Sequence, residues 1–186
     1  TTDRNIITLE DPVEYQMFGV NQVQVNTQVG MTFASGLRSI LRQDPDIIML
    51  GEIRDEETAE IAIRSAITGH IVLSTLHTND TVSSVSRLVD MGIQRYMVTS
   101  AVAGIVAQRL LKRICPRCAE SYTASEMERK ELGITTAAPL LLRRGKGCPF
   151  CGNTGYKGRT AIHEVFVLDQ EMKSMINTNR TNEEIK

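Results

Sequence analysis

Apolar and polar positions fall into short blocks along the first hundred residues. Asn5-Ile6-Ile7-Thr8-Leu9 is an apolar run that Glu10-Asp11-Pro12 closes. Gln22-Val23-Gln24-Val25 alternates residue by residue, as a strand with one covered face does. Phe33, Leu37, Ile40 and Leu41 recur at helical spacing and predict an amphipathic helix over 32–42. Asp44-Pro45-Asp46 ends it, because a residue preceding proline is pushed out of the helical region. Ile47-Ile48-Met49-Leu50 is continuously apolar, the signature of a strand buried on both faces in a parallel sheet. Residues 56–68 place Ala59, Ala62, Ile63 and Ala66 on one helical face, and Gly69 supplies the stop. Residues 71–76 predict a third buried strand, and two further helices are expected over 81–91 and 94–111. Strands alternating with helices argue for a parallel α/β sheet.

The texture changes at Lys112. Cys115-Pro116-Arg117-Cys118 opens a segment that Cys148-Pro149-Phe150-Cys151 closes. Within it, residues 125–132 predict a short helix with Ser125 as N-cap. Gly155 and Gly158 mark turns over 153–159, residues 160–167 read as a strand, and Asp169 can cap a last helix carrying Met172, Met175 and Ile176. The pattern divides the chain into a core over 1–112, a cysteine-bearing satellite over 113–159, and a strand and helix over 160–186 that return to the core. Met91, Met97, Met127, Met172 and Met175 fit helix faces as gap-fillers. His163, in an alternating strand, reads as a partly buried strand residue rather than a ligand.

Composition narrows this picture. The chain is 41% hydrophobic and 23% charged, which is the balance of a folded globular domain and not of a disordered segment. Its formal net charge of −1 gives no global basic field for nucleic acid. The apolar runs are too short to span a bilayer, and no signal peptide is visible. The Thr-Thr-Asp start without Met reads as the interior of a longer protein. Four cysteines in two C-x-x-C pairs could form disulfides, a redox site or a metal site. The rest of the chain can build a core without disulfide staples, and a redox motif needs one pair only. Two pairs a few tens of residues apart match the spacing of a closed Zn²⁺ site, which implies a reducing compartment.

The candidate chemistry sits where strands end. In open α/β sheets, ligands lie outside the carboxyl ends of the strands. The first strand delivers Glu10, Asp11 and, past the proline, Glu14. The second delivers Gly51-Glu52, and the third delivers Thr75 and His77. Parallel, adjacent strands would bring these carboxylates and the imidazole to one edge, suited to Mg²⁺-assisted hydrolysis of a nucleoside triphosphate. Acidic residues after strands also serve as helix caps and solvated loop residues. An apolar strand followed by an acid resembles a Walker B element, with Gly51 where an aspartate often stands. The partner motif, G-x-x-x-x-G-K-[ST], does not occur in the 186 residues and would belong to a strand upstream. Arg38 and Arg42, four apart on one expected helix, and Arg54 could stabilise a transferring phosphoryl group; solvated helix positions and salt bridges are the plainer alternative.

These residues resemble a family. Ile7-Thr8-Leu9-Glu10-Asp11-Pro12-Val13-Glu14 is similar to the Asp box of bacterial secretion ATPases. Leu41-Arg42-Gln43-Asp44-Pro45-Asp46 through Gly51-Glu52-Ile53-Arg54-Asp55 resembles their atypical Walker B region, and Thr68-Gly69-His70 through Thr75-Leu76-His77-Thr78-Asn79 resembles their His box. The two cysteine pairs resemble the tetracysteine metal-binding subdomain. The resemblance points to the C-terminal part of a type II secretion or type IV pilus assembly ATPase. It implies a RecA-like α/β core lacking its P-loop strand, a small four-cysteine zinc subdomain and a C-terminal helical segment. It also implies a homohexamer using ATP and Mg²⁺, and an assembly motor rather than a retraction motor. Its partners would be an inner-membrane platform and a cytoplasmic adaptor protein, and its place the cytoplasmic face of the bacterial inner membrane. By motif, Glu10, Glu52 and His77 are the catalytic candidates. Glu14, Arg38, Arg42, His70 and Thr75 are the nucleotide-edge candidates, and Cys115, Cys118, Cys148 and Cys151 are the zinc ligands. Without its phosphate loop, the chain alone is expected to be inactive.

A different class of function competes with this one. Arg113, Arg117, Arg143, Arg144 and Lys146 cluster around the cysteines, as in a zinc ribbon that docks a partner protein or nucleic acid. Few aromatic residues accompany them, only Tyr122, Phe150 and Tyr156, which weakens a base-stacking reading.

Overall fold

The computed structural model describes residues 3–136 and 138–185. These form two compact units: Gln108–His163, and the rest of the described chain.

The larger unit is built on a parallel four-stranded sheet. Its strands are β1 (Ile6–Glu10), β2 (Asn21–Gln24), β3 (Ile47–Leu50) and β4 (Ile71–Ser74), in spatial order β2-β1-β3-β4. β1 is central, and Ile7, Thr8, Leu9 and Glu10 are all buried. With a strand on each side and α1 packed against it, β1 leaves these four positions no outward face, so Thr8 and Glu10 are buried along with the apolar residues. α1 (Phe33–Ile40) connects β2 to β3, and α2 (Glu56–Ile67) connects β3 to β4. Thr32 starts α1 with a capping box, its hydroxyl accepting from Ser35 N while Ser35 Oγ accepts from Thr32 N. Gly36 lets this helix lie close on β1, since a Cβ there would stand 2.9 Å from the Leu9 methyls. Asp55 caps α2 by accepting from Thr58 N. α3 (Thr81–Asp90) and α4 (Arg95–Ala101) follow, and α6 (Gln170–Asn177) and α7 (Asn182–Ile185) return the chain to the same core. Leu9, Leu37, Ile48, Leu50, Val98 and Ile176 are its fully buried centre.

The smaller unit holds β6 (Ala119–Thr123), α5 (Glu126–Glu131) and β7 (Leu141–Gly145), with β6 and β7 antiparallel and Ala119 opposite Gly145. Ser125 caps α5 in a second capping box with Glu128. β5 (Gly104–Ile114) and β8 (Tyr156–Val167) pair as a separate two-stranded sheet, and the boundary between the units falls within both strands. Gln108–His163 carries eleven Lys and Arg against four Asp and Glu, a formal +7; the remainder of the sequence carries −8.

Several expectations fail here for identifiable reasons. The helix expected over 94–111 stops at Ala101, Val102 is extended, and β5 takes over. Met97, Val98, Ala101, Val102 and Ile105 satisfy helical spacing. However, a glycine at 104 and a β-branched pair at 105–106 favour a strand once a partner strand is present. β6 and β7 are absent from the predicted elements, and β8 begins four residues early, with Gly158 inside it at φ +77°. β4 is not buried: Ile71 and Leu73 are each 55% exposed, because the strand has a neighbour on one side only among the described residues. Arg42 lies beyond Leu41, the C-cap of α1, so it does not share that helix with Arg38. His163 is exposed and bonds Gln108 Oε1 at 2.9 Å. No helix among the described residues is long and apolar enough to cross a membrane.

Candidate functional site

Because β1, β3 and β4 are adjacent and parallel, their carboxyl ends share one edge, and backbone bonds stitch it beyond the strands. Gly51 N donates to Leu9 O at 2.8 Å, and Ile53 N donates to Thr75 O at 3.1 Å. The Thr75 hydroxyl donates to Gly51 O at 2.7 Å. Glu52 is thereby held against the segment after β4. One carboxylate oxygen meets Arg54 Nη2 at 2.5 Å and the other meets His77 Nε2 at 2.9 Å. The Glu52 side chain is 12% exposed and that of His77 is 83% exposed, so a largely sheltered carboxylate stands beside an imidazole open to solvent. The Arg54 guanidinium holds the Glu52 carboxyl below its ordinary range; burial opposes this and the His77 bond assists it.

Glu10 is buried at the end of β1. Thr8 Oγ1 donates to its Oε1 at 2.6 Å and Gln22 Nε2 to the same oxygen at 2.9 Å. Oε2 takes no hydrogen bond from the described residues. Thr75 and His77 therefore reach the edge with Glu10 and Glu52. The other sequence candidates do not. Glu14 is exposed on the loop between β1 and β2, and no hydrogen bond among the described residues ties it to Glu10 or Glu52. Arg38 pairs with Glu57 of α2 at 2.5 Å, with both side chains more than half exposed. Arg42 sits in the turn after α1. His70 precedes β4 at its amino end, with Nδ1 3.1 Å from Ser65 O, so it occupies the opposite end of the strand from Thr75 and His77.

The second cluster lies in the smaller unit. Two turns project the cysteines toward one point: Cys115–Cys118, closed by Cys118 N donating to Cys115 O, and Cys148–Cys151, with Gly152 in the left-handed region at its end. The four sulfurs lie within 4.8 Å of one another, with Cys115–Cys148 and Cys118–Cys151 at 3.9 Å and Cys148–Cys151 at 3.7 Å. A tetrahedral site with metal–sulfur bonds of ~2.3 Å has sulfur–sulfur edges of about 3.8 Å, so the quartet fits a metal ion, and zinc suits its four thiolates. Burial raises the Cys151 thiol, but N–H groups of Cys148 and Gly155 and the adjacent sulfurs bring it down to about 6. Burial pushes Cys118 up to about 12, opposed by the Gly147 N–H and reinforced by the other three thiols.

The family described as "Type II/IV secretion system protein" matches residues 1–186, the full chain. The chain belongs to this family. Type II secretion system protein E of Pseudomonas aeruginosa is 53% identical over 98% of this chain and 36% of its own length. Type II secretion system ATPase E of Vibrio cholerae is 50% identical over 96% of this chain and 35% of its own. Type IV pilus assembly ATPase PilB of Thermus thermophilus is 48% identical over 100% and 21%. The chain thus spans about a third or less of the curated relatives it matches. Among solved structures, the pilus retraction motor PilT with bound ADP superposes with a TM-score of 0.67 at 31% identity, covering 95% of this chain and 42% of that one. The Legionella pneumophila ATPase DotB, 24% identical with a TM-score of 0.62, covers 100% and 42% and shares the fold. The architecture is the RecA-like α/β fold of these secretion ATPases.

Two contacts in this type II/IV secretion chain escaped sequence reasoning. Thr8 and Glu10 are two apart in a strand and so share a face. Gln22 stands opposite Thr8 in the β1–β2 register. The first relation was legible from spacing; the second needed the pairing register, which a parallel crossover through a ten-residue loop does not reveal.

Proposed function

We propose that this chain is the C-terminal part of the motor of a homohexameric ATPase that powers type II protein secretion or type IV pilus assembly. The observation that carries the reading is the convergence of Glu52, His77 and Thr75 beside Glu10 at the carboxyl edge of a parallel sheet, within a chain of this family. Glu10 and Glu52 are the carboxylates suited to orient a water or to hold Mg²⁺, directly or through water, and Mg²⁺ supplies charge neutralisation on the triphosphate. His77 offers an imidazole toward the terminal phosphate, and Thr75 fixes the backbone that carries Glu52. Arg38 and Arg42, which lie away from this edge, suit contacts to a neighbouring subunit or to the phosphate of its nucleotide, and Glu14 and His70 suit supporting roles outside the edge.

The 186 residues contain no phosphate-cradling G-x-x-x-x-G-K-[ST], so the chain alone is inactive on this reading. The open side of β4 supports a place for the strand that would carry such a loop. Cys115, Cys118, Cys148 and Cys151 hold a structural Zn²⁺; four sulfurs leave no open position for catalysis. The zinc subdomain covers 113–159, between the core at 1–112 and the closing segment at 160–186. The whole protein works at the cytoplasmic face of the inner membrane with platform and adaptor proteins. It neither inserts into the membrane nor binds a specific nucleic acid. The aromatic rings of the basic unit are already faced by its own cations, Arg117 over Phe150 at 4.0 Å and Arg144 over Tyr122 at 4.9 Å, which leaves little for base stacking.

Steady-state ATP turnover tests this. Glu52→Gln in the full-length protein should lower kcat by about 100-fold or more, the scale of a lost general base. The 186-residue chain should show no turnover above background. Unchanged turnover in the variant, or parent-like turnover in the chain alone, overturns the reading.

A further inference from the structure

Thr8 and Glu10 lie on the same face of β1, both buried, and the register puts Gln22 of β2 opposite Thr8. The Gln22 amide makes three of its four possible hydrogen bonds there, using both N–H donors. One N–H of Nε2 donates to Glu10 Oε1 at 2.9 Å, and Nε2 also donates to Tyr15 O at 2.9 Å. Its Oε1 accepts from Met17 N at 2.7 Å. Only one orientation of the amide satisfies this set. A flipped amide would set its oxygen against a carboxylate and a carbonyl, and its NH₂ against a backbone N–H.

One side chain therefore joins two things that are otherwise separate. The first is the Glu10 carboxylate, whose Oε1 it pins together with Thr8, leaving Oε2 without a hydrogen bond from the described residues. The second is the β1–β2 loop, which carries Tyr15, Met17 and Phe18 with their side chains largely in solvent. We infer that Gln22 is a positioning residue for the motor reaction: it fixes the rotamer of the Glu10 carboxylate and ties it to the loop bearing Tyr15, Met17 and Phe18. The inference rests on Glu10 being a working carboxylate. A side chain that only packed the loop would need no donor on Glu10. One that only oriented Glu10 would need no acceptor for Met17 N.

Two variants separate these roles in the full-length protein. Gln22→Met keeps the volume and removes all three bonds. Gln22→Glu keeps the acceptor for Met17 N, so that tie to the loop remains, but loses the donors to Tyr15 O and to Glu10 and sets a second carboxylate beside Glu10. Both should lower kcat by about 10- to 100-fold, the range seen when groups that orient working ligands are lost, with KM within twofold. In a Glu10→Gln background, adding Gln22→Met should lower the residual kcat by no more than twofold, because there is no carboxylate left to orient. Wild-type kcat in Gln22→Glu overturns the inference, as does a Gln22→Met effect of equal size with and without Glu10. If Glu10→Gln alone leaves turnover unchanged, Glu10 does no work and the positioning role falls with it. That outcome is distinct from a dead Glu10→Gln beside a fully active Gln22 variant, which defeats the positioning role alone.

Discussion

Glu52 shows how much a short side-chain cluster decides. Its carboxyl is held ionised first by Arg54, two residues on, against the cost of partial burial, and then by His77 from the neighbouring strand end. A carboxylate whose folded pKa is depressed contributes stability that is full above its unfolded value, about 4.3, and that is lost as pH falls through the folded value. The melting temperature should therefore drop as the pH falls below about 4.5, and Glu52→Gln should flatten that part of the curve. The effect should be small, since Arg54 is largely exposed and screened. Parallel melting curves for the two proteins between pH 3 and 6 would show that the pair contributes nothing. The residue itself was readable in the sequence, because an apolar run followed by an acid marks a strand end wherever it occurs. Its partners were less so. Arg54 was close in sequence, but His77 meets Glu52 only because β3 and β4 are neighbours, and Gln22 meets Glu10 only because of the β1–β2 register.

Among the elements, those closed by local chemistry were the legible ones. α1, α2, α5 and α6 begin at Thr32, Asp55, Ser125 and Asp169, all residues whose side chains accept from the first-turn amides. The misplaced element, β5, has no local signal strong enough to stop α4 before a partner strand is known. β6 and β7 lack a local signal for a related reason: their short runs, Ala119–Thr123 and Leu141–Gly145, show no sustained alternation of apolar and polar residues and are aligned by the cysteine turns at their ends. Lys146 N donates to Cys118 O, and Cys115 N donates to Gly155 O, so the first cysteine turn is bonded to the chain on both sides of the second. Gly145 and Gly155 cross so closely that a Cβ on Gly145 would stand 2.0 Å from Gly155 O. This small element has little core of its own and should depend on its metal. Anaerobically purified protein should contain about one zinc per chain. Cys151→Ser should abolish stoichiometric zinc and remove the protection of Ala119–Thr123 against amide exchange. Retained exchange protection in a zinc-free variant would show that the hairpin stands without the ion.

At the scale of the molecule, the near-neutral net charge conceals a division. The smaller unit, at +7, remains cationic at about +5 even after four thiolates and one divalent ion are counted, and the remainder carries −8. Net charge describes how a molecule moves in a uniform field; it says little about a surface that meets only one part of it. Chromatography makes the difference practical. Near pH 7 in low salt, the protein should be retained on a sulfonate resin through one unit and on a quaternary-amine resin through the other. Both interactions should fade above about 0.2 M salt, as the screening length contracts below ~8 Å. A chain with the same −1 charge evenly mixed would pass through both columns, and passage through either would show that the two populations of charge neutralise each other locally. A protein divided in this way behaves as a zwitterion on the length scale of its own domains, and buffer strength, more than pH, will govern what it adheres to.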